Sequence, residues 1–233
     1  MRYEDLFEEN SPDLFNHIEK DGMGLVESKT VLYRGSENSN ETKTVILKTR
    51  FDRKPTDTPQ VIHDIIDVWF FNKFGIKARS QSIFTTPKLT FAKRYGVPTA
   101  ILPKGNAVYI YSKKACDLFN NLSERISTYI QDTEFDEINR KYDLDLHENL
   151  SIRKIYRYIN TKFLDNEIPT ELYQWLKNII DKVMDSMDYV ATDTLMPGDA
   201  DNVEVMVHCN EYYSVGRKSP ESYKLEAKYG YLI

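Results

Sequence analysis

Three short segments of this sequence each join an apolar run, typical of a β-strand, to a polar side chain that could do chemistry. They are residues 31–35 (VLYRG), 79–96 (RSQSIFTTPKLTFAKRYG) and 201–213 (DNVEVMVHCNEYY). In chain order they supply an arginine, a group of hydroxyls and a carboxylate. A guanidinium suits phosphate recognition, and a fixed carboxylate can stabilise positive charge that develops in a reaction.

The first segment places Arg34 directly after an apolar strand expected over residues 30–33. At a strand end its permanent positive charge could bind a phosphate or diphosphate. Gly35 follows, and a glycine lets the backbone approach a ligand closely. The ordinary alternative is a surface arginine at the end of a strand.

The second segment carries several hydroxyls on a predicted strand that precedes a predicted helix. Alternate residues of a strand point to opposite faces, so Ser82, Phe84 and Thr86 should share one face and Thr85 the other. The alternative is an edge strand that happens to be rich in serine and threonine.

The third segment sets Glu204 among valines, and strand alternation puts its side chain on one face with Asn202 and Met206. Burying a carboxylate is costly, so we expect Glu204 to face a cleft or to be hydrogen-bonded. Glu211 is a rival carboxylate, but it lies in a predicted turn and should face solvent.

Apolar periodicity predicts the elements that must position these segments. Strands are expected over residues 30–33, 43–49, 81–86, 99–102, 107–111, 203–208, 212–215 and 223–232. Helices are expected twice within the first twenty residues, over 60–74 and 88–95, and repeatedly between 115 and 191. The first two strands would form a hairpin or the two sides of a longer loop. The chain should therefore be an α+β protein.

The predicted helix over residues 60–74 has clear end signals. Gly75 suits its C-cap, and Thr58 could cap its N-terminus with Pro59 in the first turn. His63 and Asp67 are four residues apart on this helix. They could be a functional pair, but a contact on a solvated face is the favoured interpretation.

Composition and charge limit the function classes. The net charge of the 233 residues is -5, yet residues 43–114 hold 14 Lys and Arg against 4 Asp and Glu. This basic stretch could bind an anion such as a dinucleotide or a nucleic acid, or pair with acidic segments of the same chain. We expect no membrane span and a cytoplasmic location. Cys116 and Cys209 should be reduced, structural thiols.

Several chemistries lack their sequence signatures. No phosphate-binding glycine loop, nucleophile elbow or zinc-protease helix is present, so kinase, P-loop and hydrolase interpretations are set aside. His208 beside Cys209 could suggest a metal or a thiol nucleophile. The other histidines, however, have no ligand spacing, and we expect no metal.

In order and spacing, the three segments resemble the arginine, serine/threonine and glutamate motifs of ADP-ribosyltransferases. The resemblance covers roughly residues 30–112 and 198–216. It implies that Glu204 is catalytic and that Ser82 or Thr85 positions it. It also implies that NAD is bound by a further set of residues: Arg34, Gly35, Arg79 and Thr86.

Two positions depart from that family pattern. Phe84 stands at the first serine, with Thr85 and Thr86 completing the motif, so the hydroxyl that orients the glutamate is open. Asn202 stands at the first acidic position, which leaves the acceptor open. Residues 53–75 also resemble uncharacterised proteins of tailed bacteriophages.

The resemblance implies one domain over residues 1–233 with a split, mixed β-core, N-terminal helices and a helical insertion over 115–191. The implied activity is mono-ADP-ribosyl transfer from NAD to a macromolecule, such as a host protein, in the host cytoplasm. One alternative is a non-catalytic phage binding or structural protein of the same fold, contacting a host protein through the helical block. Another is a nucleic-acid binder that uses residues 43–114. NAD-dependent labelling and salt-dependent retention on nucleic acid separate these hypotheses.

Overall fold

The computed structural model describes residues 15, 16, 20, 30–53, 58–130, 132–143, 168–195, 198 and 200–230. The strands are β1 (Tyr33–Ser36), β2 (Thr44–Lys48), β3 (Ile83–Thr85), β4 (Val97–Lys104), β5 (Val108–Tyr111), β6 (Val190–Thr192), β7 (Val205–His208) and β8 (Glu211–Gly216). The α-helices are α1 (Gln60–Phe74), α2 (Ala78–Gln81), α3 (Leu89–Ala92), α4 (Leu118–Arg125), α5 (Asp132–Tyr142), α6 (Thr170–Ser186) and α7 (Pro220–Tyr229). Short 3-10 helices, Lys93–Tyr95 and Ile126–Thr128, follow α3 and α4.

The chain divides into two compact units, each assembled from separate stretches of sequence. Unit 1 comprises Met1–Arg53, Ser80–Cys116 and Val190–Ile233, and it contains all eight described strands. Unit 2 comprises Lys54–Arg79 and Asp117–Tyr189 and contains the long helices α1 and α6. The helical character expected between residues 115 and 191 is found in α4, α5 and α6.

Unit 1 is built on two four-stranded sheets. Sheet A has the order β1-β4-β8-β2, and sheet B has the order β3-β7-β5-β6. The protein is thus α+β, as predicted. The expectation of a mixed sheet is wrong for the described strands, which all pair antiparallel. Strand propensity reports no direction, because it depends on side-chain packing on the sheet.

The first two strands do not form a hairpin. They occupy opposite edges of sheet A, and β4 and β8 lie between them, so residues 37–43 form the longer connection that was the alternative. Strand β1 also begins at Tyr33, later than expected, so Arg34 lies within the strand and not at its end.

The core of unit 1 contains side chains from both sheets. Tyr213, Leu102 and Val215 of sheet A and Val205 and Val207 of sheet B are among its almost fully buried members. Complete burial of a large apolar side chain contributes roughly 1.5–3 kcal/mol. These strands therefore give the candidate site a rigid base.

Unit 2 is held by α1 and α6. The ring of Phe70 meets that of Tyr189 edge to face at 5.1 Å, and the indole Nε1 of Trp69 donates to Asp185 at 2.9 Å. Helix α1 has the predicted bounds, and Gly75 ends it in the left-handed region at φ 73°. The N-cap differs from the prediction, because Pro59 occupies it without a side-chain cap.

The predicted strand over residues 223–232 is wrong, because α7 occupies this region. Ser219 caps the helix by accepting from the Ser222 N–H at 3.2 Å, Pro220 starts it, and Gly230 ends it at φ 77°. These end signals outweigh the alternating apolar residues. The two short helices expected over the first twenty residues lie almost entirely outside the described residues. Among the described helices, none has the length and apolar character needed to cross a bilayer.

Candidate functional site

Backbone pairing brings the three segments onto adjacent strands of unit 1. Tyr33 and Thr86 exchange two backbone hydrogen bonds, of 2.8 and 2.9 Å, which link β1 to the end of β3. Thr85 is paired with Val205 in the register of β3 and β7, so one residue further Thr86 lies opposite Glu204. With strands about 4.8 Å apart, the backbones of Tyr33 and Glu204 are separated by only about 10 Å.

Glu204 lies immediately before β7 and is half-buried. Its backbone N–H donates to the Cys116 carbonyl at 3.0 Å, which fixes the start of the strand. Its carboxylate oxygen Oε1 is shielded from solvent. Continued alternation puts the side chain on the face of Met206, whose partner in β3 is Phe84.

The three hydroxyls of the second segment have different environments. The Thr85 hydroxyl donates to the Val205 carbonyl at 2.8 Å, and its side chain is buried. Ser82 precedes β3 opposite His208, about 13 Å along the strand from Glu204 at about 3.3 Å per residue. Thr86 is the residue opposite Glu204, and its hydroxyl oxygen accepts only the Lys88 N–H, at 3.2 Å, among the described contacts. Its own proton is therefore available to a carboxylate.

Ser82 has an unusual environment for a polar side chain. It is 3% exposed, and its hydroxyl has no hydrogen-bond partner among the described residues. A buried hydroxyl without a partner costs about 1–3 kcal/mol. This burial is not predictable from the residues around Ser82, because it depends on the strand that packs beside it.

Phe84, which stands at a serine position of the family pattern, supports a cation. The guanidinium carbon of Arg53 lies 4.4 Å from the centroid of its ring. A cation over an aromatic face is attracted by the ring quadrupole. Part of the basic stretch thus lies next to the face that carries Glu204.

Arg34 takes part in a row of polar side chains on one face of sheet A. Its Nη1 donates to the Tyr212 hydroxyl at 3.4 Å, and in β4 it is paired with Thr99. The hydroxyls of Thr99 and Ser214 are 2.7 Å apart, and both residues are buried. Sequence reasoning missed Thr99, Ser214 and Tyr212. The available signal was a hydroxyl at alternate positions, 212 and 214, of one strand.

Gly35 is explained by packing inside unit 1. A Cβ atom placed on it would lie 1.8 Å from the carbonyl oxygen of Ala92 in α3. The missing side chain therefore allows β1 to contact α3. Its role in NAD binding stays a prediction.

No family model, curated protein or solved structure matches this chain.

Arg79 belongs to unit 2, where all its contacts described below lie. Its backbone N–H donates to Asp67 at 2.8 Å, and its Nη2 donates to the Thr58 hydroxyl at 3.1 Å. Asp67 and His63 are both buried, so the expectation of a solvated face is wrong. The pair is buried together with Ile62, Ile66 and Phe70 of α1, on the side of the helix that other elements cover. Burial lowers the pKa of His63, while the nearby Asp67 carboxylate opposes that change.

Asn202 adopts the left-handed backbone region, with φ 68°. Asparagine enters this region more easily than other residues with a side chain, glycine being the exception. The backbone conformation of the turn before β7 thus explains why an asparagine stands at position 202, where the family pattern has an acidic residue.

The remaining candidates are less suited to catalysis. Burial raises the pKa of Cys209 to about 11, which disfavours a thiolate nucleophile. The His208 ring nitrogen Nδ1 lies 2.8 Å from the Gln81 carbonyl oxygen, so this nitrogen is engaged by the backbone. Cys116 and Cys209 are both free thiols. Glu211 forms an ion pair with Lys104 at 3.2 Å. Among the described residues, no group of three or more His, Cys, Asp or Glu could hold a metal ion.

Proposed function

We propose that unit 1 is a mono-ADP-ribosyltransferase that transfers ADP-ribose from NAD to a macromolecular acceptor and releases nicotinamide. The observation that carries the proposal is the antiparallel pairing of β3 with β7, together with the bridge from Tyr33 of β1 to Thr86. Extended by one residue beyond Thr85 and Val205, the register of β3 and β7 sets Thr86 opposite Glu204. Residues more than 100 positions apart in the chain are thereby neighbours on a rigid sheet edge. Such preorganisation is what electrostatic catalysis requires.

In this reaction the bond between the ribose C1′ atom and the nicotinamide nitrogen breaks. The bonding electrons stay with nicotinamide, which leaves as a neutral base, and positive charge develops on the ribose. An acceptor nucleophile then forms a bond to C1′ and loses its proton to solvent. Glu204 would stabilise the developing charge, and its partly shielded carboxylate would act more strongly than one in bulk water.

Two further residues take supporting roles in the proposal. Thr86 would position the Glu204 carboxylate by donating its hydroxyl proton to it. Thr86 lies opposite Glu204 in the extended register, whereas Ser82 and Thr85 do not. Arg34 would bind the diphosphate around the edge of β1, because alternation directs its side chain to the face opposite to that of Tyr33, the residue bridged to Thr86. The Tyr212 hydroxyl would orient its guanidinium. The acceptor would be a host protein, in the host cytoplasm, if the chain is encoded by a bacteriophage.

The test is nicotinamide release and labelling of a bacterial lysate by labelled NAD, with wild type and Glu204→Gln. Gln keeps the shape but removes the charge, so kcat should fall by about 10²- to 10³-fold while KM changes far less. Thr86→Val should lower kcat by about tenfold, since it keeps the branched shape without the hydroxyl. Glu226→Gln in α7, another half-buried glutamate, serves as the matched control.

A Glu204→Gln turnover within threefold of wild type would remove Glu204 from the mechanism. Glu211→Gln, measured in parallel, shows whether that rival carboxylate is responsible. A folded wild-type protein that neither releases nicotinamide nor labels any acceptor would favour the non-catalytic binding protein, the alternative suggested by Phe84 and Asn202.

A further inference from the structure

Unit 1 contains an open pocket at the end of sheet A opposite to the Arg34 end of β4. Its volume is about 720 Å³. It is lined by Lys48, Thr49, Phe51, Lys104, Gly105, Asn210 and Glu211. Ligand pockets typically measure about 300–1,000 Å³, so this pocket has room for a nucleotide.

The sheet register fixes the charges of this pocket. Glu211 of β8 is paired with Lys48 of β2 on one side and with Lys104 of β4 on the other. Directly opposed residues project to the same face about 5 Å apart, so the two lysines flank the glutamate. Lys104 forms an ion pair with Glu211, whereas Lys48 has no ion-pair partner within the described part of the chain. The lining thus has one net positive charge, which matches a singly charged phosphodiester.

An aromatic side chain stands beside these charges. Phe51 is 47% exposed, and its ring contacts the ring of His208 edge to face at 5.9 Å, which orients it while leaving surface for a ligand. Exposed aromatic rings bind unpaired bases by stacking. Asn210 adds an amide that can hydrogen-bond to a base edge.

The pocket is held in shape without a ligand. The Thr49 N–H donates to the Asn210 carbonyl at 2.9 Å, and the Thr49 hydroxyl lies 3.7 Å from the Cys209 sulfur. These contacts join the end of β2 to the turn between β7 and β8. A preformed site loses less conformational freedom on binding.

We propose that this pocket binds one nucleotide of a single-stranded nucleic acid, with the phosphodiester at Lys48 and Lys104 and the base on Phe51. The site involves none of the residues assigned to ADP-ribosyl transfer. Glu211 lowers the affinity of the pocket for the nucleic acid, because its carboxylate repels the phosphate and forms an ion pair with Lys104.

The experiment measures fluorescence anisotropy of labelled oligothymidine and oligouridine, each of fifteen nucleotides, with the full chain over a range of salt. Lys48→Ala should reduce the slope of log K against log salt by about 0.7, the value for one phosphate contact on a single strand. Phe51→Ala should weaken binding by about tenfold through loss of stacking. Glu211→Gln should strengthen binding several-fold, which a merely structural role would not produce.

Matched controls come from unit 2. Phe71 is 52% exposed, and Lys182 is an exposed lysine, so Phe71→Ala and Lys182→Ala remove equivalent groups outside the pocket. The comparison of the two oligomers identifies RNA or DNA as the ligand. Unchanged affinity in Lys48→Ala and Phe51→Ala would overturn the proposal. Competition by AMP at the concentration effective for the oligomer would also overturn it, because it would indicate a mononucleotide site.

Discussion

Replacing Ser82 by alanine should stabilise the protein. Its hydroxyl is buried without a partner among the described residues. An unsatisfied hydroxyl costs about 1–3 kcal/mol, and the substitution removes one atom from a well-packed site, which offsets part of the gain. We therefore expect the free energy of unfolding to rise by about 1 kcal/mol. For a chain of this length the melting temperature should rise by roughly 2–4 °C.

The assay is urea and thermal unfolding of wild type, Ser82→Ala and Ser112→Ala. Ser112 is also fully buried, but its oxygen accepts the Lys114 N–H at 3.0 Å, so its removal should destabilise by about 1 kcal/mol. The two substitutions should therefore change the free energy of unfolding in opposite directions. Destabilisation by Ser82→Ala equal to that of Ser112→Ala would refute the reasoning, since it would mean that the Ser82 hydroxyl is hydrogen-bonded.

Two further predictions concern packing and pH. Gly35→Ala should leave little folded protein, because its Cβ would lie 1.8 Å from a backbone carbonyl; circular dichroism checks this, and a native spectrum would contradict it. Burial lowers the pKa of His63; the Asp67 and Asp64 carboxylates oppose this change, and the Arg79 cation reinforces it. As the pH falls, His63 therefore binds its proton at a higher pH in the unfolded chain than in the folded protein. Stability should be full above about pH 6.5 and decline below it. The decline between pH 7.5 and 5.5, measured by urea unfolding, should be smaller in His63→Gln, and an equal decline would show that His63 is not its source.

The sequence was most informative where a local rule decides the structure. Helix α1 has both predicted bounds, because its periodicity and the Gly75 signal are properties of neighbouring residues. The same kind of signal was present around α7, where Ser219, Pro220 and Gly230 should have outweighed the apolar alternation. Local rules could not decide which strands become neighbours. The placement of β1 and β2 at opposite edges of sheet A follows from β8, about 170 residues away in sequence.

In the candidate site, too, local patterns could be predicted from the sequence, whereas contacts between distant segments could not. Alternation correctly separated Thr85 from Thr86, but only the register of β3 and β7 reveals that Thr86 lies opposite Glu204. The family resemblance implies that Arg79 binds NAD, whereas its described contacts lie in unit 2. The burial of His63 and Asp67 could not be predicted either, because it depends on which elements cover α1.

The interleaving of the two units has a consequence during synthesis. Strand β8 lies between β4 and β2, and β7 lies between β3 and β5, so neither sheet has its central partner until residues 205–216 have been made. At about 5–20 residues per second, the roughly 90 residues between β5 and β7 take about 5–20 s to translate. Throughout that interval the apolar strands β4 and β5 have exposed edges on the nascent chain, and such edges promote aggregation. A ribosome-associated chaperone that covers residues 97–111 would therefore be expected to matter more for this protein than for one whose sheets are built from consecutive strands.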